Sequence, residues 1–358
     1  MTNNNHTAQW WKKLEGNSVQ CYLCPRLCVI PEGSRGFCFV RQNIAGELIL
    51  TTYGRSSGFC IDPIEKKPLY HFYPGTSVLS FGTAGCNMGC KFCQNWDISK
   101  SKEFDRLSEK ATPKTIADTA KKVGAKSVAF TYNDPVIFAE YAIDTAKECH
   151  LNNIKTISVT AGYISKEARE EFFENMDAAN VDLKSISESF YRRLALAQLK
   201  PVLDALIFIK ERTNTWLEVT NLIIPGENDS DDDLNKICTW IVENLGKEVP
   251  VHFSAFHPSF QMMNYSPTPK QTLLRARQIA LSKGLQYVYT GNIDDDEGSI
   301  THCAVCHQKL IERSWYEVKE YHLINNRCDN CHTSCAGFFD EKPGSWGSRC
   351  VSVKLGDE

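Results

Sequence analysis

From Ser77 to Gly291 the chain alternates short, near-continuous apolar runs with longer amphipathic stretches. SVLSFG (77–82), SVAFTY (127–132), TISVTA (156–161), NVDLKS (180–185), WLEVTNLII (216–224), VHFSAF (251–256) and YVYTG (287–291) read as strands. Between them TPKTIADTAKKVG (112–124), PVIFAEYAIDTAKECH (135–150), SKEAREEFFENM (165–176), residues 187–211, SDDDLNKICTWIVENL (230–245) and TPKQTLLRARQIALSKG (268–284) read as helices. Thr112 suits an N-cap, Pro113 the first helical position and Gly124 the stop. The predicted fold class is α/β. Strands apolar on both faces belong in a parallel sheet covered on each side, and right-handed crossovers curl it into a full or partial parallel (β/α) barrel. Such a barrel presents its reactive groups at the C-terminal ends of the strands.

Both ends of the chain lack this period and hold cysteine pairs among turn residues. Three units are therefore expected: an N-terminal cysteine-rich module over 1–70, a core barrel over 71–295, and a C-terminal zinc-ribbon-like module over 296–358. A net charge of −3 over 358 residues gives no reason to expect nucleic acid or an anionic membrane as a partner. No apolar run approaches the roughly 18 residues of a membrane span. The opening MTNNNHTAQWWKKLEG is polar and lacks the apolar core of a signal peptide, so a cytoplasmic location is expected.

Sixteen cysteines in a reducing compartment point to metal or redox chemistry rather than disulfides. Cys149 and Cys238 fall inside helical patterns and read as buried apolar residues; Cys60 and Cys350 are isolated. GCNMGCKFCQNW (85–96) places Cys86, Cys90 and Cys93 at C-x3-C-x2-C directly after the first barrel strand. Three thiolates leave one ligand position open. A [4Fe–4S] cluster so bound has one iron free for the amino and carboxylate groups of S-adenosylmethionine, which the reduced cluster cleaves to methionine and a 5′-deoxyadenosyl radical. Gly85 and Gly89 let the backbone wrap closely. The competing reading is a zinc site completed from elsewhere.

With these segments the chain resembles the radical SAM superfamily, in its pyruvate formate-lyase-activating-enzyme-like branch. Over nearly its full length it is similar to the AmmeMemoRadiSam-system radical SAM proteins. The matching segments are CYLCPRLCVIPEGSRGFCFVRQN, PIEKKPLYHFYPG, GCNMGCKFCQNWDIS, TYNDPVIFAEY, DAANVDLKS, EVTNLIIPGEND, FHPSFQMM and YVYTGN. The resemblance implies that Asn133 and Asp134 meet the SAM ammonium, that Asp182 and Lys184 lie near SAM, that Asn228 and Asp229 lie near its adenosine, and that His257 lies near its ribose. Turn, ion-pair, loop and structural roles are the plainer readings of the same residues. Relatives more often carry glutamate at Asp134 and an amide at Ala161, and RRLALAQLKPVL (192–203) replaces a Cys-Gly-containing stretch.

Cys21, Cys24, Cys28 and Cys38 supply four thiolates for zinc or an auxiliary iron–sulfur cluster. Cys303, Cys306, Cys328 and Cys331 form two knuckles for a structural Zn2+, with Cys335 leaving a cluster open there. CAVCH and CDNCH also match the haem-attachment motif, but covalent haem is attached after export, and no export signal is present. The expected function is hydrogen abstraction from an unidentified substrate, small molecule or protein, with ferredoxin or flavodoxin as electron donor. A glycyl-radical-enzyme activating enzyme is the alternative within the class. A zinc-binding adaptor with an inactive barrel is the alternative outside it.

Overall fold

The computed structural model describes residues 6–100 and 109–355. The first five residues of the polar N-terminal stretch lie outside the described residues. Seven strands, β1 (Ser77–Gly82), β2 (Ser127–Phe130), β3 (Lys155–Thr160), β4 (Ala178–Asp182), β5 (Trp216–Ile223), β6 (Val251–Ala255) and β7 (Val288–Gly291), lie side by side in chain order. Each is parallel to the next. Helices α1 (Pro113–Lys122), α2 (Ala139–Leu151), α3 (Lys166–Glu174), α4 (Leu199–Arg212), α5 (Asp231–Asn244) and α6 (Lys270–Ser282) follow the first six strands. All six residues of β1 are buried, the burial on both faces that its unbroken apolar pattern requires. Among the described residues the sheet does not close. Arg55–Pro63 pairs antiparallel with β1, Val351–Ser352 pairs antiparallel with Arg55–Pro63, and β7 is the other edge.

Local chemistry sets the element boundaries. Thr112 accepts a hydrogen bond from Thr115 N at 3.1 Å, Pro113 opens α1, and Gly124 beyond its end has φ +68°. The stretch 187–211 is not one helix. A short turn at Glu188–Phe190 runs into a wide turn over Tyr191–Ala195, Leu196 adopts φ 50°, and α4 begins only at Leu199. The apolar spacing there gave no sign of this break.

The terminal modules are small antiparallel sheets, and sheet pairing crosses the expected boundaries at 70 and 296, since Arg55–Pro63 and Val351–Ser352 belong to the barrel sheet. The N-terminal module docks through Arg41, 1 % exposed, which pairs with Glu140 of α2 at 2.5 Å and donates to Gln9 O and Ile137 O. The C-terminal ribbon, Thr301–His302, Lys309–Ser314 and Glu317–Tyr321, docks through Arg313. Its buried guanidinium donates to Tyr70 O (2.8 Å), Ser299 O (3.1 Å) and Thr301 Oγ1 (3.0 Å). Arg313 Nε is 3.6 Å from Glu65 Oε1, while Glu65 Oε2 has no partner.

Burial pushes the Glu65 carboxyl up to about 7, against the pull of Arg313 and the Gly75 N–H. A carboxyl raised in the folded state contributes stability that is complete below its ordinary value of 4.5 and is lost as pH rises through about 7. Glu65→Gln should therefore flatten the fall in unfolding free energy between about pH 5 and about pH 8 by up to about 3 kcal/mol. Urea titrations of both proteins across that range check it; identical slopes would refute it.

Candidate active site

The loop after β1 is tied down before it reaches its first cysteine. Asn133, at the end of β2, accepts from Thr83 N (3.1 Å) and donates to Gly85 O (2.8 Å), with Thr83 Oγ1 also in reach at 3.2 Å. Gly85 has φ +84° and its α-carbon lies against the Cys38 carbonyl, so no side chain fits there. On the far side Gly89 N donates to Ala195 O and Lys91 N to Leu194 O, both at 2.9 Å. The wide turn at 191–195 thus clamps the loop, and a Cβ on Gly89 would lie 2.7 Å from Leu196 Cδ1. Part of RRLALAQLKPVL is therefore a scaffold for the cysteine loop.

Cys86, Cys90 and Cys93 line one wall of a cavity of about 240 Å3. Thr131 to Asp134, Thr160, Asp182 and Lys184 supply other walls, with Thr220 and Ser254 farther round the barrel. The Met88 N–H points at Cys86 Sγ (3.5 Å), and Ser99 Oγ lies 3.1 Å from Cys93 Sγ. Burial pushes the Cys90 thiol up to about 12, and the Lys184 ammonium pulls it back. Lys184 pairs with Asp182 at 2.8 Å and stands 5.7 Å from the centre of the Phe92 ring. Burial alone would lower the Lys184 pKa, but Asp182 and Cys90 together raise it.

The strand-end residues divide by what they already hold. Asp134 lines the cavity, yet its oxygens accept from Val136 N (3.1 Å), Thr160 Oγ1 (2.9 Å) and Ala161 N (3.1 Å), and burial raises its pKa. The backbone of Ala161 thus gives Asp134 a bond that needs no side-chain amide. Asn228 is away from the cavity and fully engaged, accepting from Ile224 N (2.7 Å) and donating to Lys184 O (2.7 Å) and Leu222 O (2.9 Å). Asp229 accepts from Gly226 N at 2.8 Å and closes the Pro-Gly turn. His257 is exposed and lines none of the cavities described here. Cys86, Cys90, Cys93, Asn133, Asp134, Asp182 and Lys184 are therefore brought together, whereas Asn228, Asp229 and His257 are not.

A second chamber of about 390 Å3 shares Thr131, Tyr132, Asp182, Thr220 and Ser254 with the first. It continues past Lys66, Lys67 and Asp294–Asp296 to Trp315 and Tyr316 of the ribbon. Apart from Asp182, none of these residues has a role assigned from the sequence. The one signal was small polar residues near the ends of apolar strands: Thr131, Thr220, Ser254 and Thr290.

In the ribbon, Cys303, Cys306, Cys328 and Cys331 have all four sulfurs within 4.8 Å of one another, with Cys303–Cys331 at 3.5 Å and Cys306–Cys328 at 3.6 Å. A tetrahedral ion with Zn–S of about 2.3 Å spaces its sulfurs by about 3.8 Å. Cys335 stands apart from this set, buried 4.0 Å from His71 Nδ1. Cys60 and Cys350, distant in sequence, meet at 2.7 Å beside Asp62, whose oxygens are taken by Lys66 and Lys67. Cys149 and Cys238 are buried in their helices.

Two substitutions test the loop's supports. Asn133→Ala strands a buried N–H and a buried carbonyl at a cost of about 1–3 kcal/mol each, and should lower both the melting temperature and the iron retained after anaerobic reconstitution. Gly89→Ala should do the same through its clash, and adding Leu196→Gly, which removes the obstructing side chain at a left-handed position, should restore both; failure to restore would remove the clash as the cause.

The radical SAM superfamily profile matches residues 81–241. An uncharacterised protein of Methanocaldococcus jannaschii is 41% identical over 326 residues, 90% of this chain and 97% of the relative. The 4-hydroxyphenylacetate decarboxylase activating enzyme of Clostridioides difficile strain 630 is 22% identical over 220 residues, 59% of this chain and 64% of that enzyme. Among solved structures, a radical SAM methyltransferase from Sphaerobacter thermophilus matches with a TM-score of 0.49 at 16% identity, over 66% of this chain and 71% of its own. With three thiols gathered at the mouth of a partial parallel barrel, and with a profile match spanning β1 to α5, the chain belongs to the radical SAM superfamily.

Proposed function

We propose that Cys86, Cys90 and Cys93 are the protein ligands of a [4Fe–4S] cluster and that S-adenosylmethionine occupies the cavity beside them. The observation that carries this reading is that three thiols, and no fourth among the described residues, line a space of about 240 Å3. Held by these three cysteines, such a cluster would supply the single electron for reductive cleavage of S-adenosylmethionine.

The chain's own residues prepare that site. Lys184 puts a positive charge beside Cys90 and offsets the negative charge of thiolate ligands. Asp182, about a third exposed, keeps one oxygen on Lys184 and has capacity left for a ribose hydroxyl or an ammonium group. Asp134 is a positioning residue: it fixes Thr160 and Ala161 at the end of β3 and leaves their cavity-facing edge in place. Phe92, packed against Phe190, shields the loop from water.

The second chamber is the entrance for the substrate, which donates a hydrogen atom near Thr220 and Ser254. Its charged lining of Lys66, Lys67 and Asp294–Asp296, with Trp315 and Tyr316 at the rim, suits a polar group carried on an apolar or aromatic body. The likeness to an activating enzyme supports a second reading, in which the donor is a glycyl residue of another protein. Ferredoxin or flavodoxin suits the one-electron reductant that the chemistry requires, and a cytoplasmic setting suits oxygen-sensitive cofactors; no described helix is long and apolar enough to cross a membrane. Cys303, Cys306, Cys328 and Cys331 are assigned Zn2+ as a structural ion.

Anaerobically reconstituted protein, reduced with dithionite in the presence of S-adenosylmethionine, should form 5′-deoxyadenosine, measured by liquid chromatography and mass spectrometry. Cys90→Ala should abolish it, and Asp182→Asn should slow it by about tenfold or more through the lost charge-assisted bond. An iron-replete protein that leaves S-adenosylmethionine intact would sink the reading.

A further inference from the structure

Cys60 and Cys350 are 290 residues apart in sequence, yet their sulfurs stand 2.7 Å apart at the outer edge of the barrel sheet. The chain is fastened on both sides of Cys350. Before it, Gly344 N donates to Pro74 O (2.9 Å) and Trp346 N to Gly75 O (3.0 Å). A Cβ on Gly344 would lie 2.3 Å from Gly75 O, so the two backbones touch. Arg349 donates to Trp346 O at 3.0 Å and lies over its ring, closing the turn that leads into Cys350. After it, Val351 and Ser352 pair with Ile61 and Cys60, and Val353 N donates to Phe59 O at 2.9 Å. Backbone held on either side thus brings Cys350 to Cys60.

A metal ion suits this place poorly. Two thiolates on one zinc ion stand about 3.8 Å apart, close to the 3.5 and 3.6 Å of the ribbon sulfurs, and 2.7 Å is too short. Asp62, the third group within reach, gives its oxygens to Lys66 (3.0 Å) and Lys67 (2.7 Å), whose charges repel a cation. A disulfide is uncharged and needs only the two sulfurs, which lie within about 1 Å of the roughly 2.05 Å of an S–S bond.

The two thiols differ in access. Cys350 is exposed and Cys60 is partly buried. Burial, the contact with Cys350 and the Asp62 carboxylate push the Cys60 thiol up to about 12. Cys60 is therefore not held as a stabilised thiolate, the condition that makes a disulfide easy to reduce. Asp62 also accepts from Tyr132 Oη at 3.4 Å, and Tyr132, Lys66 and Lys67 line the second chamber. The cysteine pair stands behind a wall of that chamber.

We propose that Cys60 and Cys350 form a reversible disulfide that fastens the C-terminal segment to the sheet edge behind the second chamber. The oxidant is a low-molecular-weight disulfide, RSSR. The Cys350 thiolate attacks one sulfur of RSSR and releases RS−, which leaves a mixed disulfide on Cys350. The Cys60 thiolate then attacks the Cys350 sulfur and expels the second RS−. The two protons of the protein thiols end on the two RSH, so two thiols and RSSR become one protein disulfide and two RSH. Reducing compartments permit disulfides of this transient kind. The disulfide stands apart from the reaction assigned to Cys86, Cys90 and Cys93.

The full chain, reconstituted anaerobically with iron, sulfide and zinc, is equilibrated in glutathione buffers of rising oxidised fraction, alkylated with iodoacetamide and mapped by mass spectrometry without reduction. Wild type should yield two peptides joined through Cys60 and Cys350, which dithiothreitol separates. Oxidation should also slow exchange of the Val353 amide hydrogen by about tenfold or more. Cys350→Ser, a change at an exposed position, should show no such slowing. Cys350 carrying glutathione while Cys60 is alkylated would overturn the proposal, and so would both thiols remaining alkylated in the most oxidising buffer. A zinc ion beyond that of the ribbon, lost in Cys60→Ser/Cys350→Ser, would overturn it in favour of a metal site. A cross-link that leaves Val353 exchange unchanged would overturn the fastening.

Discussion

One carboxamide holds the chemistry in register. Asn133 joins the end of β2 to the backbone of residues 83–85, and the cysteine loop takes its course from there. Met88 and Phe92 are buried in the core and anchor the loop's middle, while buried hydrogen bonds fix its start. Asn133 also lies next to Asp134, which ties β2 to the end of β3. Two adjacent polar residues therefore tie three strand ends together, and the cavity walls on that side refer back to them.

The barrel was legible because its signal is repetitive. Each apolar run matches a strand to within a few residues, and burial on both faces explains why those runs do not alternate. Cysteine spacing likewise located the active-site loop. Tertiary roles were harder to read. Asn133, Asn228 and Asp229 have the right chemistry to bind a ligand, but Asn133 and Asn228 spend their groups on backbone that strand ends leave unpaired, and Asp229 spends an oxygen on the Pro-Gly turn. No local pattern distinguishes an amide aimed at a cofactor from one aimed at a neighbouring carbonyl. His257 is an exposed strand-end histidine, and its position in the sequence is the same whether its ring turns in or out. The break between residue 187 and α4 was hidden because helical spacing persists through it, while Leu196 takes a backbone conformation that its side chain does not announce.

The terminal modules are working parts of the barrel's walls. Arg41 and Arg313, each almost fully buried, carry polar networks from the two ends of the chain into the barrel. Removing either partner of such a network leaves an uncompensated buried charge, whereas the intact network contributes modestly to stability. The networks thus fix where the modules sit more than how strongly they hold. That precision matters on the ribbon side, where Trp315 and Tyr316 form part of a chamber whose remaining walls belong to the barrel.

Val351–Ser352 covers part of the outer edge of Arg55–Pro63, pairing Val351 with Ile61 and Ser352 with Cys60, while Glu109–Lys110 pairs with Arg55 and Ser56. Two segments far apart in the sequence thus occupy the backbone groups that an open strand edge would offer to another chain, and the border of the sheet is guarded by contacts that form only when distant parts of the chain have met.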